Sequence, residues 1–305
     1  MNKYHSICVY GAFGAGKTAF LGELIQELLP PGTRARVITA EHYNTIQSLV
    51  YDKDTNPNGI IEVWKVNTRP HPFETMRFAV DGFWPENVND PSSPLIAPTA
   101  ETWAKYPIRV HEGMATVCQY LASNQVEGGL LDRAGKGDII GPVQEHIQFQ
   151  DGETGIGGMC WAHYNIGQRE LVGLVQRSQK YPGYSIWSSH EDDGKERNSR
   201  IVGPEVIGSA LTGSIGREFA DLWRVAGVPF DYGEGADKRR FIERRLYVKE
   251  HFDQNGGGPY KAKNSAGLKN QGDVPDYIRL TSSDPEHFGE AREGFAKIIV
   301  EKLKL

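Results

Sequence analysis

A chain of 305 residues with 39% hydrophobic and 24% charged residues has ordinary globular composition, which excludes intrinsic disorder and a fibrous repeat. Its net charge of −5 and pI near 6.0 set a mildly phosphate-repelling field, so a nucleic-acid partner would have to meet a local basic patch. No apolar run approaches the roughly 20 residues that cross a bilayer and no signal-like segment opens the sequence, so the expectation is a cytoplasmic protein without membrane association.

The first element is a short apolar run, Ser6 to Tyr10. It is followed by Gly11, Ala12, Phe13, Gly14, Ala15, Gly16, Lys17 and Thr18, then by a segment from Ala19 (AFLGELIQELL) whose apolar residues recur at helical spacing. The order strand, glycine loop, helix fits phosphate binding, because the loop's N–H groups point inward and the helix N-terminus adds partial positive charge. Lys17 would reach the β- and γ-phosphates of a nucleoside triphosphate, and Thr18 would place its hydroxyl on Mg²⁺. A match to GxxxxGK[ST] arises by chance on the order of once in a hundred chains of this length.

Next, a strand from Arg36 to Ala40 ends at Glu41. From Asn56 to Ala104 the chain carries Trp64, Phe73, Phe78, Phe83, Trp84 and Trp103 among many prolines. Interleaved with Arg69 and Arg77, these rings suit either stacking of single-stranded bases or the packing of an irregular insertion. A second strand, with Ile108 and Val110, leads to His111 and Glu112 before the helix-like MATVCQYLA. A helix-like stretch after Tyr164 precedes a third strand, Tyr184 to Ser189, ending at His190 and Glu191. Ligands of an open parallel sheet bind at the carboxyl ends of its strands. Glu112 is therefore the expected metal-side acid, Glu41 the expected general base and His190 the expected γ-phosphate sensor; for each, a polar strand end that merely meets solvent is the alternative. Cys8, Cys118 and Cys160 form no CxxC pair and read as small buried hydrophobes.

Two polar loops follow the second and third strands, one with Arg133 and Lys136, the other with Lys195, Arg197 and Arg200. The densest basic cluster holds Lys238, Arg239, Arg240, Arg244, Arg245 and Lys249. If RRLYVKE is a strand, Arg245, Tyr247 and Lys249 share one face, turned to phosphate, to an acidic neighbour or simply to solvent near Glu243 and Glu250. The last element reads as a helix capped at Ser283 or Asp284, with Pro285 in its first turn and Phe288, Phe295, Ile298, Ile299 and Leu303 on its apolar side.

With these residues in view, the series resembles the RecA-like ATPases, most closely the phage RecA-like ATPases that act as single-strand annealing proteins. The resemblance implies an α/β chain with a RecA-like P-loop NTPase fold, a central mostly parallel sheet flanked by helices. Residues 1–270 would form the core, with an aromatic-rich insertion at about 55–105, and residues 271–305 a helical tail. It implies ATP with Mg²⁺, held by the loop from Gly11 through Ala19. Glu41, in TAEHYNT, looks like the family's water-activating glutamate. Glu112 looks like its metal-side acid, although VHEG replaces the usual apolar run and Asp-Ser. His190 takes the place of the nucleotide-sensing residue, and Lys261 and Lys263, in PYKAKNSAG, look like the lysine pair that reaches a neighbouring protomer's nucleotide. The two polar loops would line a DNA channel. The implied activity is ATP hydrolysis coupled to single-stranded DNA binding and annealing or strand exchange, in a ring or filament, in a bacterial host's cytoplasm if phage-encoded. The rivals are a P-loop ATPase acting on a protein or in phage packaging or replication, and a nucleotide-gated assembly module with little hydrolysis.

Overall fold

A computed structural model describes residues 4–41, 59–69, 71–128, 130–131, 139–140, 161–192, 202–207, 209–232, 238–252, 259–265 and, with short gaps, 272–305. Cys160, Arg133, Lys136, Lys195, Arg197, Arg200, Ser283, Asp284, Pro285 and Phe288 lie outside the described residues.

In chain order the strands and helices are β1 (Tyr4–Gly11), α1 (Lys17–Leu28), β2 (Ala35–Thr39), β3 (Ile61–Lys65), α2 (Pro72–Val80), β4 (Trp84–Pro85), β5 (Leu95–Ile96), α3 (Ala100–Lys105), β6 (Ile108–Glu112) and α4 (Met114–Gly128). They continue with β7 (Leu130–Leu131), β8 (Ile139–Ile140), α5 (Trp161–Ser178), β9 (Gly183–Asp192), β10 (Gly203–Pro204), α6 (Ser209–Thr212), β11 (Asp221–Tyr232), β12 (Arg239–Tyr247), β13 (Tyr277–Arg279) and α7 (Phe295–Leu303). The main sheet runs β13-β12-β11-β1-β9-β6-β2-β3, with β10 paired to β9. Every pairing from β11 across to β3 is parallel, whereas β12, β13 and β10 join antiparallel.

Strand periodicity sorts the core into two layers. Ile7 and Val9 of β1 turn toward α1 and α7, with Phe20, Leu24, Phe295 and Ile299. Cys8 and Tyr10 turn the other way, toward α2, α4 and α5, with Met76, Val117 and Leu174. Successive residues of a strand face opposite sides of the sheet, so a sheet clothed on both faces needs apolar residues at every position of its central strands. Trp64, Trp187 and Trp223 are fully buried. At roughly 25 cal/mol per Å², burying a ring of that size contributes on the order of 4–6 kcal/mol of gross hydrophobic stabilisation. Cys8 and Cys118 are buried free thiols, both pushed up by burial, Cys118 to about 12.

Several boundaries differ from the sequence expectation. The aromatic-rich segment contributes the edge strand β3, and Trp64, Phe73 and Trp84 are buried rather than offered to bases. Trp103 stacks on Tyr181 with ring centroids 4.2 Å apart. The segment beyond residue 271 is not purely helical, because Tyr277–Arg279 pairs with β12. Its described helix begins at Phe295, immediately after Gly294, whose φ of 69° is not helical. The basic strand starts earlier than RRLYVKE and stops at Tyr247, leaving Lys249 beyond it with its ammonium on the Val274 carbonyl at 2.6 Å. Arg245 and Arg279 both close on the buried Glu243, so that part of the cluster is neutralised internally.

Candidate active site

Gly11 closes β1 under tight constraint: a Cβ there would lie 2.1 Å from the Val225 carbonyl oxygen of β11, so no other residue fits without moving backbone. The loop then turns through Gly14 and Gly16, at φ of 73° and 90°, a region glycine enters without steric cost. α1 starts at Lys17 with no side-chain cap and no acidic residue in its first turn. Its first N–H groups therefore have no side-chain acceptor, and the positive end of the helix dipole faces the loop. Lys17 Nζ folds back onto the carbonyls of Gly11 at 2.8 Å and Ala12 at 3.1 Å, and burial lowers its pKa.

The strand ends complete the arrangement. β1, β9, β6 and β2 are adjacent and parallel, so their carboxyl ends fall together, with Gly11 opposite His190 and Thr39 opposite Glu112. Thr18 Oγ1 donates to Glu112 Oε1 at 2.8 Å, tying the first turn of α1 to the end of β6. Glu112 is 4% exposed, and its second carboxylate oxygen is buried with no hydrogen-bond partner among the described residues. Burial raises its pKa to about 7, against the Thr18 hydrogen bond, which lowers it. A buried carboxylate oxygen without a partner, next to a threonine hydroxyl, is the donor set a hard divalent cation prefers.

Glu41 stands just past β2. Its amide donates to Thr39 Oγ1 at 3.0 Å, which sets the backbone, and its Oε1 accepts from Thr116 Oγ1 at 3.1 Å. His190 Nε2 lies 3.6 Å from the same oxygen. His190 first, then Thr116 and Lys17, hold the carboxyl below the usual glutamate range despite its partial burial. Glu41 is thus kept ionised while Glu112 is pushed toward neutrality, the divergence expected of two carboxyls in different roles. A cavity of about 280 Å³ opens between the loop, from Phe13 to Ala19, and Glu41, Glu112 and His190.

His190 rather than Glu191 faces this cavity. Glu191 makes a bidentate pair with Arg224 at 2.7 and 3.0 Å, and β9 continues through Asp192 to pair with β10 instead of stopping at Ser189. His111, next to Glu112, points away and stacks on Trp187 with centroids 4.6 Å apart. Phe13 is 84% exposed, with its ring 6.2 Å from that of His190. Lys261 and Lys263 do not reach this cavity. Lys261 pairs with Glu250 at 2.7 Å, and both lysines border a separate cavity of about 250 Å³ with Thr212 and Arg217.

Two residues escaped the sequence reading. Gly113, at φ of 89°, donates its amide to Ser188 Oγ at 3.1 Å and gives Glu41 its space. Thr116 lies in the first turn of α4, the helix that leaves the end of β6, which keeps its hydroxyl at the edge where Glu41 stands. Arg244 reads in the sequence only as one of a basic cluster, and its place against the loop, reached from β12, leaves no local signal.

The glycine loop between β1 and α1, with a strand inserted between β1 and the acid-bearing β6, gives the architecture. The fold is that of a RecA-like P-loop NTPase. No protein-family model matches the chain, and no curated protein matches it. Among solved structures, the flagellar accessory protein FlaH from Methanocaldococcus jannaschii aligns with 86% of this chain and 84% of its own at 10% identity and a TM-score of 0.40. A KaiC-like protein from Pyrococcus horikoshii OT3 aligns with 80% of this chain and 79% of its own at 9% identity and a TM-score of 0.38. Likenesses of this degree add nothing to what the strand order and the loop establish within the RecA-like fold.

Proposed function

We propose that the chain binds ATP with Mg²⁺ at the loop from Gly11 through Ala19 and hydrolyses it to ADP and phosphate. The observation that carries this reading is the convergence on one cavity of Lys17, the Thr18–Glu112 pair and the Glu41–His190 pair. Thr18 and Glu112 would hold the metal, which when bound supplies positive charge for the phosphate oxygens. Lys17, released from the Gly11 and Ala12 carbonyls, would turn its ammonium to the β- and γ-phosphates. Glu41 would orient a water and accept its proton as the water oxygen bonds to the γ-phosphorus and the bond to the β-phosphate oxygen breaks. His190, against Glu41, would adjust that carboxylate to the presence of the γ-phosphate. Steady-state hydrolysis tests the reading. Lys17→Ala should abolish nucleotide binding, and Glu41→Gln should retain binding while losing turnover by roughly a hundredfold or more. Wild-type turnover in Glu41→Gln would overturn the role of Glu41, whereas normal nucleotide affinity with no turnover, unchanged by Glu41→Gln, would favour a nucleotide-gated assembly module.

We further propose single-stranded DNA as the partner on which the ATPase acts, in annealing or strand exchange by a ring or filament. The support is the ribbon where β11 and β12 run beyond the core. Phe230 pairs across from Phe241, and Tyr232 from Arg239, so by strand periodicity one face joins aromatic rings with a guanidinium. Phe230 is 38% and Tyr232 44% exposed. Rings for base stacking beside cations for phosphates are what single-strand binding requires. Hydrolysis indifferent to single-stranded DNA at low salt would move the reading to an ATPase acting on a protein partner.

A further inference from the structure

β12 returns antiparallel to β11 with Arg244 opposite Gly227, two residues beyond the Val225 carbonyl that presses on the end of β1. Leu246 belongs to the apolar layer beneath α1, and the period of two turns Arg244 toward the same side. Its backbone is pinned on both sides: the amide donates to Thr281 Oγ1 at 3.1 Å, and the carbonyl accepts from the Leu280 amide at 2.9 Å. From this fixed base the side chain reaches the last glycine of the loop. A Cβ built on Gly16 would stand 3.1 Å from both Cδ and Nε of Arg244 and 3.5 Å from its guanidinium carbon.

Arg244 is solvent-exposed, and packing does not call for a guanidinium in that place. It lies at the positive end of α1, against Gly16, where no acidic residue occupies the first turn. Cations at a helix N-terminus are repelled by the dipole. Among the described residues its guanidinium makes no ion pair or side-chain hydrogen bond, unlike Arg245 one position on, which is held by Glu243. An anion seated in the loop reverses the sign, since two cations and the helix end then share one negative group.

We propose that Arg244 is a phosphate-binding residue of the same chain, supplying a second cation to the loop from β12. The proposal rests on the nucleotide reading of that loop. Arg244 does not join the wall formed by Glu41, Glu112 and His190. Its charge therefore serves the phosphates common to nucleoside di- and triphosphates rather than the γ-phosphate and the attacking water.

The experiment is titration of the full chain with ADP and with a non-hydrolysable ATP analogue, in the wild type, Arg244→Gln, Arg244→Lys and Lys17→Ala, each checked for folding by thermal melting. Arg244→Gln should melt as the wild type does and bind both nucleotides about tenfold more weakly, the size of one charge-assisted hydrogen bond. Arg244→Lys should fall between, because an ammonium keeps the charge and loses the planar fork. Wild-type affinity in Arg244→Gln, alongside weakened binding in Lys17→Ala, would overturn the role of Arg244 and leave the nucleotide site standing. Wild-type affinity in Lys17→Ala as well would bring down the nucleotide reading and this proposal together.

Discussion

Replacing Gly113 by Ala displaces Glu41 without touching a group that meets the nucleotide. Gly113 links β6 to α4 at φ of 89°, and a Cβ there would lie 2.7 Å from Glu41 Oε1, 2.9 Å from its Cγ and 3.1 Å from its Cδ. To regain ordinary van der Waals contact the carboxylate must retreat by roughly 0.7 Å, and a misplacement near 1 Å costs about a hundredfold in rate. The positive φ adds about 1–2 kcal/mol of strain for a residue with a side chain. The expected outcome is a kcat lowered roughly ten- to a hundredfold, a melting temperature lower by a few degrees, and nucleotide affinity within about twofold of wild type, because Lys17 and the loop are untouched. Single-turnover hydrolysis beside equilibrium nucleotide titration reads both quantities. In Gly113→Ala combined with Glu41→Gln, the second change should cost little more than Glu41→Gln alone, since both act on one carboxylate. Wild-type kcat in a Gly113→Ala protein that shows the expected loss of stability would refute the argument that Glu41 activates the water.

Three further outcomes follow from the geometry. Gly11→Ala drives a methyl to within 2.1 Å of the Val225 carbonyl oxygen, so it should cost several kcal/mol and cut the yield of folded protein; a wild-type denaturant midpoint would contradict the close approach of β1 to β11. His111 is buried and stacked on Trp187, and burial lowers its pKa to about 3. Its neutral form is the one folded, so it contributes stability fully above its unfolded pKa of about 6.5, and that contribution is lost as pH falls toward 3. His111→Phe should accordingly move the acid-unfolding midpoint to lower pH, and an unchanged midpoint would mean the imidazole charges within the fold. Replacing Arg239 and Arg240, exposed on the β11–β12 ribbon, by Gln should weaken single-stranded DNA binding and flatten its log–log salt dependence by about one to two, measured by fluorescence anisotropy; an identical slope would remove the ribbon from the DNA interface.

What the sequence revealed about the site follows how local each signal is. The loop from Gly11 to Thr18 is legible because its glycines, lysine and threonine act within one turn of chain. Glu41, Glu112 and His190 are legible as strand ends, since apolar runs that stop at polar residues mark the edge where parallel strands meet a ligand. Their mutual geometry is not local. His190 stands opposite Gly11 only because β9 enters the sheet between β1 and β6, a register fixed by pairings to residues far away in sequence on both sides, 179 residues from His190 to Gly11 and 76 from Tyr184 to Ile108. The choice between His190 and Glu191 is likewise settled from a distance, by Arg224 on β11, which captures the glutamate and leaves the histidine facing the cavity. Composition misleads where a feature serves the core: the aromatic-rich segment reads as a base-stacking platform until Trp64 and Trp84 are seen packed together at 5.5 Å. Charge density misleads in the same way along β12. Of two neighbouring arginines there, Arg245 is bound to the buried Glu243, and Arg244 lies against Gly16. A run of basic residues gives no information on which member is already neutralised. Strand periodicity decides it, because it sends the two neighbouring arginines to opposite faces, one toward a buried carboxylate and the other toward the positive end of a helix, where a bound anion would offset the repulsion between cation and dipole.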